Sequence, residues 1–258
     1  MKCLLVSDLH YALKQYDWVL NVANEFDVVI IGGDHLDIAG HVEGRVQITV
    51  ILKYLEQLAA KTKLVVCSGN HDLDSRNEAG EKTAGWIEQA RRLNIPADGD
   101  SLQIGEALFT ICPWWDGPVS QKGVTALFEQ DAMKNANPWI WVYHAPPLNS
   151  PTGRTRTRDF GDQELNDWIA SYSPDIVLTG HIHEAPFETA GSWVDRIGTT
   201  WVFNAGRQIG AVPAHIIFDT ERQKAAWFSL VGTEEVDLAS TDALPRQVTA
   251  LPDWLKAS

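Results

Sequence analysis

Several of the runs of Val, Ile and Leu that recur along this chain are apolar throughout rather than alternating, and that constrains its fold more than any other feature. The runs lie at residues 3–7, 28–32, 64–68, 107–112, 139–143, 176–179, 200–204, 215–218 and 225–230. A strand with one wet face alternates apolar and polar residues, so uniformly apolar runs specify strands covered on both faces. Between the early runs, residues 45–60 place Ile48, Ile51, Leu52, Leu55 and Leu58 on one helical stripe. Residues 80–94 and 162–171 are also expected to be helical, the latter with Trp168 and Ile169 as core contacts. Strand and helix alternate, which predicts α/β layers. Residues 149–161 are polar with Pro and Gly and are expected as a surface loop. No repeat or domain boundary appears, so residues 1–258 are expected as one domain. Its last part, from about residue 232, reads as a polar tail.

Five of these runs end in residues that carry chemistry. The first ends Ser7-Asp8-Leu9-His10, the second Gly33-Asp34-His35-Leu36-Asp37 and the third Gly69-Asn70-His71-Asp72. Two later runs end His144-Ala145-Pro146-Pro147 and Gly180-His181-Ile182-His183. Open α/β sheets place ligand sites at the C-terminal ends of their strands. Each piece alone could be a turn or a loop histidine. Together they would put unpartnered polar groups at one sheet edge, and a metal cluster supplies the partners. Imidazole nitrogen with carboxylate and amide oxygen, and no thiolate, suits Mn, Fe, Zn, Co or Ni. Two metals about 3.5–4 Å apart need a carboxylate able to bridge them, and Asp34, on a middle strand, is placed for that role.

This series resembles the calcineurin-like metallophosphoesterase superfamily. The pattern D-x-H, G-D, G-N-H-D/E, H and G-H-x-H is matched in full and in order from Asp8 to His183. The resemblance implies a four-layer α/β/β/α sandwich with the metal site at strand C-terminal ends. It also implies that Asp8, His10 and His183 hold one metal, Asn70, His144 and His181 the other, and that Asp34 bridges them. His71 would be the general acid and Asp37 a carboxylate that orients it. The implied reaction is attack on phosphorus by a metal-bridging hydroxide. The segment after Asp34 lacks the Arg found in the protein Ser/Thr phosphatases of the superfamily. The layout is closer to the bacterial cyclic-nucleotide phosphodiesterase-like members, which points to a small phosphodiester or phosphomonoester.

Other features bear on the substrate. Arg154, Arg156 and Arg158 follow the His144 block and could grip a phosphate or neutralise nearby carboxylates. Trp114 and Trp115 could stack on a base or sugar, with packing over a strand end the expected role. His35 and His41 match no motif position and are expected as loop histidines, and Asn204 precedes a turn that could line the site. A net charge of −13 disfavours long nucleic acid and an anionic membrane surface. A nuclease of the same superfamily remains the enzymatic alternative, and a protein-binding scaffold would be expected to lose ligands that are all present here. No apolar run nears the ~18 residues of a membrane span. Three Cys in apolar runs, Cys3, Cys67 and Cys112, cannot form a disulfide framework, so a cytoplasmic protein is expected.

Overall fold

The structure, a computed structural model, describes residues 1–240 and 244–256 of the chain. It begins with β1 (Lys2–Val6), α1 (Leu13–Val22), β2 (Val28–Gly32), α2 (Gly44–Ala59) and β3 (Lys63–Cys67). The three strands run parallel, with Leu4 beside Val29 and Val29 beside Leu64. They are buried almost throughout, which is why they lack alternation. α2 buries Ile51, Leu55 and Leu58 against this sheet, and α1 adds Tyr16 and Val19.

A hairpin of β4 (Ser75–Arg76) with β5 (Lys82–Thr83) follows, then the short α3 (Glu88–Arg92). Residues 80–94, expected as one helix, are therefore divided. Glu81 is committed elsewhere: its carboxylate accepts the Val119 and Ser120 backbone N–H groups at 2.7 Å each. β6 (Ser101–Ile104) and β7 (Ala107–Ile111) come next, then α4 (Pro118–Ala132), whose N-terminus Glu81 thereby caps. β8 (Trp139–Val142), α5 (Gln163–Tyr172), β9 (Ile176–Thr179), β10 (Val194–Ile197) and β11 (Thr200–Asn204) complete a second sheet. Its spatial order is β10-β11-β9-β8-β7-β6.

The chain then returns to the first sheet through β12 (His215–Asp219), β13 (Lys224–Ser229), β14 (Gly232–Asp237) and β15 (Arg246–Val248). β12 pairs antiparallel with β1, giving the order β15-β14-β13-β12-β1-β2-β3. The segment from about residue 232, expected as a polar tail, thus supplies two strands at a sheet edge. β15 is the edge strand and β14 its neighbour, and between them only Val236 of β14 is fully buried, so their composition looks like a tail's.

Four layers result. Leu5, Ile30 and Val65 of the first sheet share a core with Phe109, Ile140 and Leu178 of the second. The alternate residues Leu4, Val29 and Val66 face α1 and α2. On the far side, Trp141 and Val177 pack with Phe128 of α4 and Trp168 of α5. The Phe128 and Trp141 rings are stacked with centroids 3.7 Å apart. The sandwich is mixed α/β, as the strand pattern predicts.

His215 opens β12 away from the strand ends discussed below. Its ring stacks on Phe228, with centroids 5.1 Å apart, and its Nδ1–H donates to the Pro213 carbonyl at 2.9 Å. Burial pushes its pKa down from 6.5 to about 4. Because the folded value lies below the unfolded one, the stability due to the neutral ring is full above pH 6.5 and is lost as pH falls through 4. His215→Phe, which keeps the stack, should flatten the decline in stability across that window in urea titrations. Equal pH slopes for the two proteins would remove His215 from the acid limb.

Candidate metal centre

β1, β2 and β3 of one sheet and β8 and β9 of the other deliver their C-terminal ends to a common cluster. Asp8, His10, Asp34 and His183 each offer a donor atom within 4.8 Å of the others, and Asp34, His144 and His181 form a second such group. Asp34 belongs to both. His144 Nε2 stands 3.3 Å from Asp34 Oδ2, and His10 Nε2 stands 3.6 Å from the same oxygen. His183 Nε2 lies 3.3 Å from Asp8 Oδ1 and 3.0 Å from His10 Nε2. Asp34 Oδ2, Asn70 Oδ1 and His144 Nε2 are buried with no hydrogen-bond partner among the described residues. Orphaned donors of this kind, converging with two buried carboxylates, fit divalent metal ions.

Two rings have their tautomer fixed from behind. The His10 Nδ1–H donates to the Leu36 carbonyl at 3.2 Å and the His144 Nδ1–H to the Gly32 carbonyl at 2.6 Å, leaving each Nε2 facing inward. The backbone is bent to the same end: Asp8 (φ 56°), His10 (φ 41°), Asp34 (φ 55°) and His181 (φ 67°) are all left-handed. Each costs about 1–2 kcal/mol for a residue with a Cβ. Tight loop hydrogen bonds hold them there, Asp8 N–H to the Gly33 carbonyl at 3.1 Å and His10 N–H to the Asp34 carbonyl at 2.9 Å. Glycine is required where loops crowd the donors. A Cβ on Gly69 would overlap Asp34 Oδ1 and His144 Nε2, and one on Gly180 would overlap Asp8 Oδ2.

Several supporting residues carried no role in the sequence reading. Asp72, fully buried, accepts from the backbone N–H groups of His35 at 3.0 Å, Leu36 at 3.1 Å and Gly69 at 2.9 Å, joining the loops after β2 and β3. His35 is no loop histidine. It is buried, donates Nε2–H to the Cys67 carbonyl at 3.1 Å and accepts from the Tyr16 hydroxyl at 3.1 Å, and burial pushes its pKa down to about 4. His41 is exposed, as a loop histidine would be. Asn204 holds the loop that carries His181 and His183 by donating to the carbonyls of Ile182 at 3.1 Å and Thr152 at 2.8 Å.

His71 sits beside the cluster, its ring 4.5 Å from that of His10 and its backbone N–H donating to Asp34 Oδ1 at 2.8 Å. Asp37 is not brought to it. The Asp37 carboxylate accepts the Ala39 N–H at 3.0 Å in a turn closed by Gly40, while His71 Nδ1 is buried without a partner among the described residues. A carboxylate three residues beyond Asp34 is thus used locally. Arg154 pairs with Asp159 at 2.5 Å, the carboxylate-neutralising alternative, and Arg156 and Arg158 are exposed.

The electrostatics follow burial and charge. Burial alone would lower the His144 pKa, but Asp34 and then Asp8 outweigh it and hold it up at about 10. Burial alone would likewise raise Asp34, and the His144 charge instead keeps its carboxyl below the usual range. Burial pushes His10 and His181 down to about 4, leaving neutral rings suited to ligation. The buried carboxylates thus call for positive charge at this point. Gly69→Ala, which displaces Asp34 and His144 together, should abolish metal uptake measured by elemental analysis while leaving the circular dichroism spectrum intact. Full metal content in that variant would show the close approach to be dispensable.

The sequence profile described as calcineurin-like phosphoesterase matches residues 1–185. No curated protein matches the sequence. Among solved structures, the fold is similar to a Thermus thermophilus protein, TT1561, at 13% identity and TM-score 0.58, over 95% of this chain and 98% of that one. It is also similar to a purple acid phosphatase from yellow lupin seeds at 13% identity and TM-score 0.54, over 95% of this chain and 52% of the lupin chain. A third is a 5'-nucleotidase precursor from Thermus thermophilus, at 11% identity and TM-score 0.54, over 96% of this chain and 54% of the other. This chain spans about half the length of those last two. At such identities the likeness is one of fold, whereas the profile covers most of the chain and every strand end that builds the cluster: the protein belongs to the calcineurin-like phosphoesterase family.

Proposed function

We propose that this protein is a dinuclear metal-dependent hydrolase of small phosphoesters. Asp34 carries the reading, because one buried carboxylate belongs to two donor groups, an arrangement that serves a pair of ions. Asp8, His10 and His183 would hold one ion and Asn70, His144 and His181 the other, with Asp34 between them. Mn, Fe, Zn, Co and Ni all suit these donors. When bound, the ions supply Lewis acidity toward phosphoryl oxygens and lower the pKa of a water for attack on phosphorus.

The chain's own residues do the rest. The Asn70 amide N–H groups donate to a phosphoryl oxygen, and His71 donates a proton to the departing oxygen. The Asp37 carboxylate does not help it, being held in its own turn. The loops after β3 and β9 orient the ester between them. The acid excess of the chain and the pairing of Arg154 with Asp159 favour a small substrate over a nuclease role. The three free, buried cysteines are in keeping with a reducing compartment such as the cytoplasm.

Two measurements test this. Elemental analysis after Mn²⁺ loading should give two ions per chain, and Asp34→Asn should lower both together. A hydrolysis panel of nitrophenyl monoester, bis-nitrophenyl diester, cyclic nucleotides and single-stranded DNA should show turnover of the small esters and none of the DNA. Absence of turnover with two ions bound would overturn the reading. His71→Ala should retain metal and lose about 10²–10⁴-fold in rate on alkyl esters, with a smaller loss on nitrophenyl esters that need no acid. Equal losses on both would remove His71 from the role of acid.

A further inference from the structure

A cavity of about 320 Å³ opens beside the second donor group, and both His144 and His181 line it. Its remaining walls are largely aromatic: Trp114, Trp115, Tyr143 and Phe160. Trp114 sits against the two histidines, with ring centroids 5.7 Å from His144 and 5.2 Å from His181, and its backbone N–H is fixed on Ser68 Oγ at 2.8 Å. The deeper wall is locked by a relay of hydrogen bonds. The Trp115 indole N–H donates to the Tyr143 hydroxyl at 2.6 Å, and that hydroxyl donates to Asp162 Oδ2. Asp162 Oδ1 in turn accepts the Glu164 N–H at 2.9 Å at the start of α5. The polar atoms of that relay are therefore bonded to one another, and ring surface makes up most of what remains to face an occupant.

Phe160 forms the rim. Its backbone N–H is pinned on the Gly153 carbonyl at 2.9 Å, yet its side chain is left 40% exposed. Among the described residues, no Lys or Arg lines the cavity, and its one carboxylate is already bonded through both oxygens. A second anionic group would find no partner there. A flat, uncharged ring would find apolar faces on several sides and would cover Phe160.

We propose that this cavity receives a neutral planar aromatic ring carried by the substrate, a nucleobase or an aryl group, so that the ester linkage falls at the His144 and His181 side of the metal centre. That the ring belongs to a phosphoester rests on the phosphoesterase reading above; that the cavity binds a ring does not. The packing role expected for Trp114 and Trp115 and the stacking role are then one and the same: the residues pack over the strand end and present a preformed surface. Stacking on aromatic side chains tolerates many ring types, so the wall sets a class of substrate rather than one molecule.

The test uses ligands that have no phosphate. Adenosine and 4-nitroanisole, both uncharged, should each bind the Mn²⁺-loaded protein, read by titration calorimetry and by shifts of tryptophan indole N–H resonances in a ¹⁵N spectrum. Tighter binding of adenosine identifies a nucleobase as the natural occupant, and tighter binding of 4-nitroanisole an aryl group. Phe160→Ala, at an exposed ring whose loss leaves the core intact, should weaken that binding about tenfold, as should Trp115→Ala. In hydrolysis, both variants should lower kcat/KM for phenyl phosphate relative to methyl phosphate by a similar factor. No binding of either ring ligand, or unchanged affinity in both variants, overturns the proposal even if the protein hydrolyses phosphoesters. Ring binding that both variants weaken, in a protein that hydrolyses no phosphoester, upholds the cavity and overturns the reading it was attached to.

Discussion

The Asp34 carboxylate is buried where two sheets meet, and the surrounding structure is arranged around that fact. One of its oxygens accepts the His71 backbone N–H at 2.8 Å, while the other faces His144 and His10 at 3.3 and 3.6 Å. A buried carboxylate with no positive partner costs several kcal/mol, so the fold must bring cationic or metal-ligating groups to it from elsewhere in the chain. The left-handed backbone at four of the surrounding residues, the bare backbone at Gly69 and Gly180 and the Asp72 link between loops all follow from crowding so many donors around one point.

The charge of the whole chain and the charge at this point are separate quantities. A surplus of acid over base spread across the surface repels a long polyanion. At the cluster, two carboxylates stand among four histidines, and bound divalent cations would outweigh them locally. The neighbouring aromatic cavity has no Lys or Arg in its lining, and its one carboxylate, Asp162, is bonded to Tyr143 and to the Glu164 N–H. On the proposed functional reading, ions would set the sign of the field a substrate meets, and Trp114, Trp115 and Phe160 the shape.

Much of the site was legible in the sequence, because its residues sit at the ends of strands that announce themselves by unbroken apolar runs. Asp8, Asp34, Asn70, His144 and His181 each stand within two residues of the end of such a run, and parallel strands in two facing sheets carry their ends to one place. What the sequence concealed is of a different kind. Asp37 lies at the right spacing for a partner of His71, but spacing says nothing about a local turn that satisfies the carboxylate first. His35 and Asp72 looked like loop residues because their partners are backbone groups distant in the chain. In the fold, α1 goes unread because its buried face, Gln15, Tyr16 and Val19, carries only two apolar residues, and β14 because Val236 is its one fully buried residue. The division of residues 80–94 depended on Glu81 reaching a helix many residues later.

Asp8 and Asp34 belong to one sheet, whereas His144, His181 and His183 belong to the other. The seam of the sandwich therefore runs through the donor cluster. Ions held there would tie together segments as far apart as Asp8 and His183, much as a crosslink shortens a long loop in a chain. Binding and docking of the two sheets would then be a single equilibrium: whatever loosens the face between them also dismantles the centre, and whatever fills the centre resists their separation. In this architecture the cofactor would serve as a structural clasp as well as a reagent.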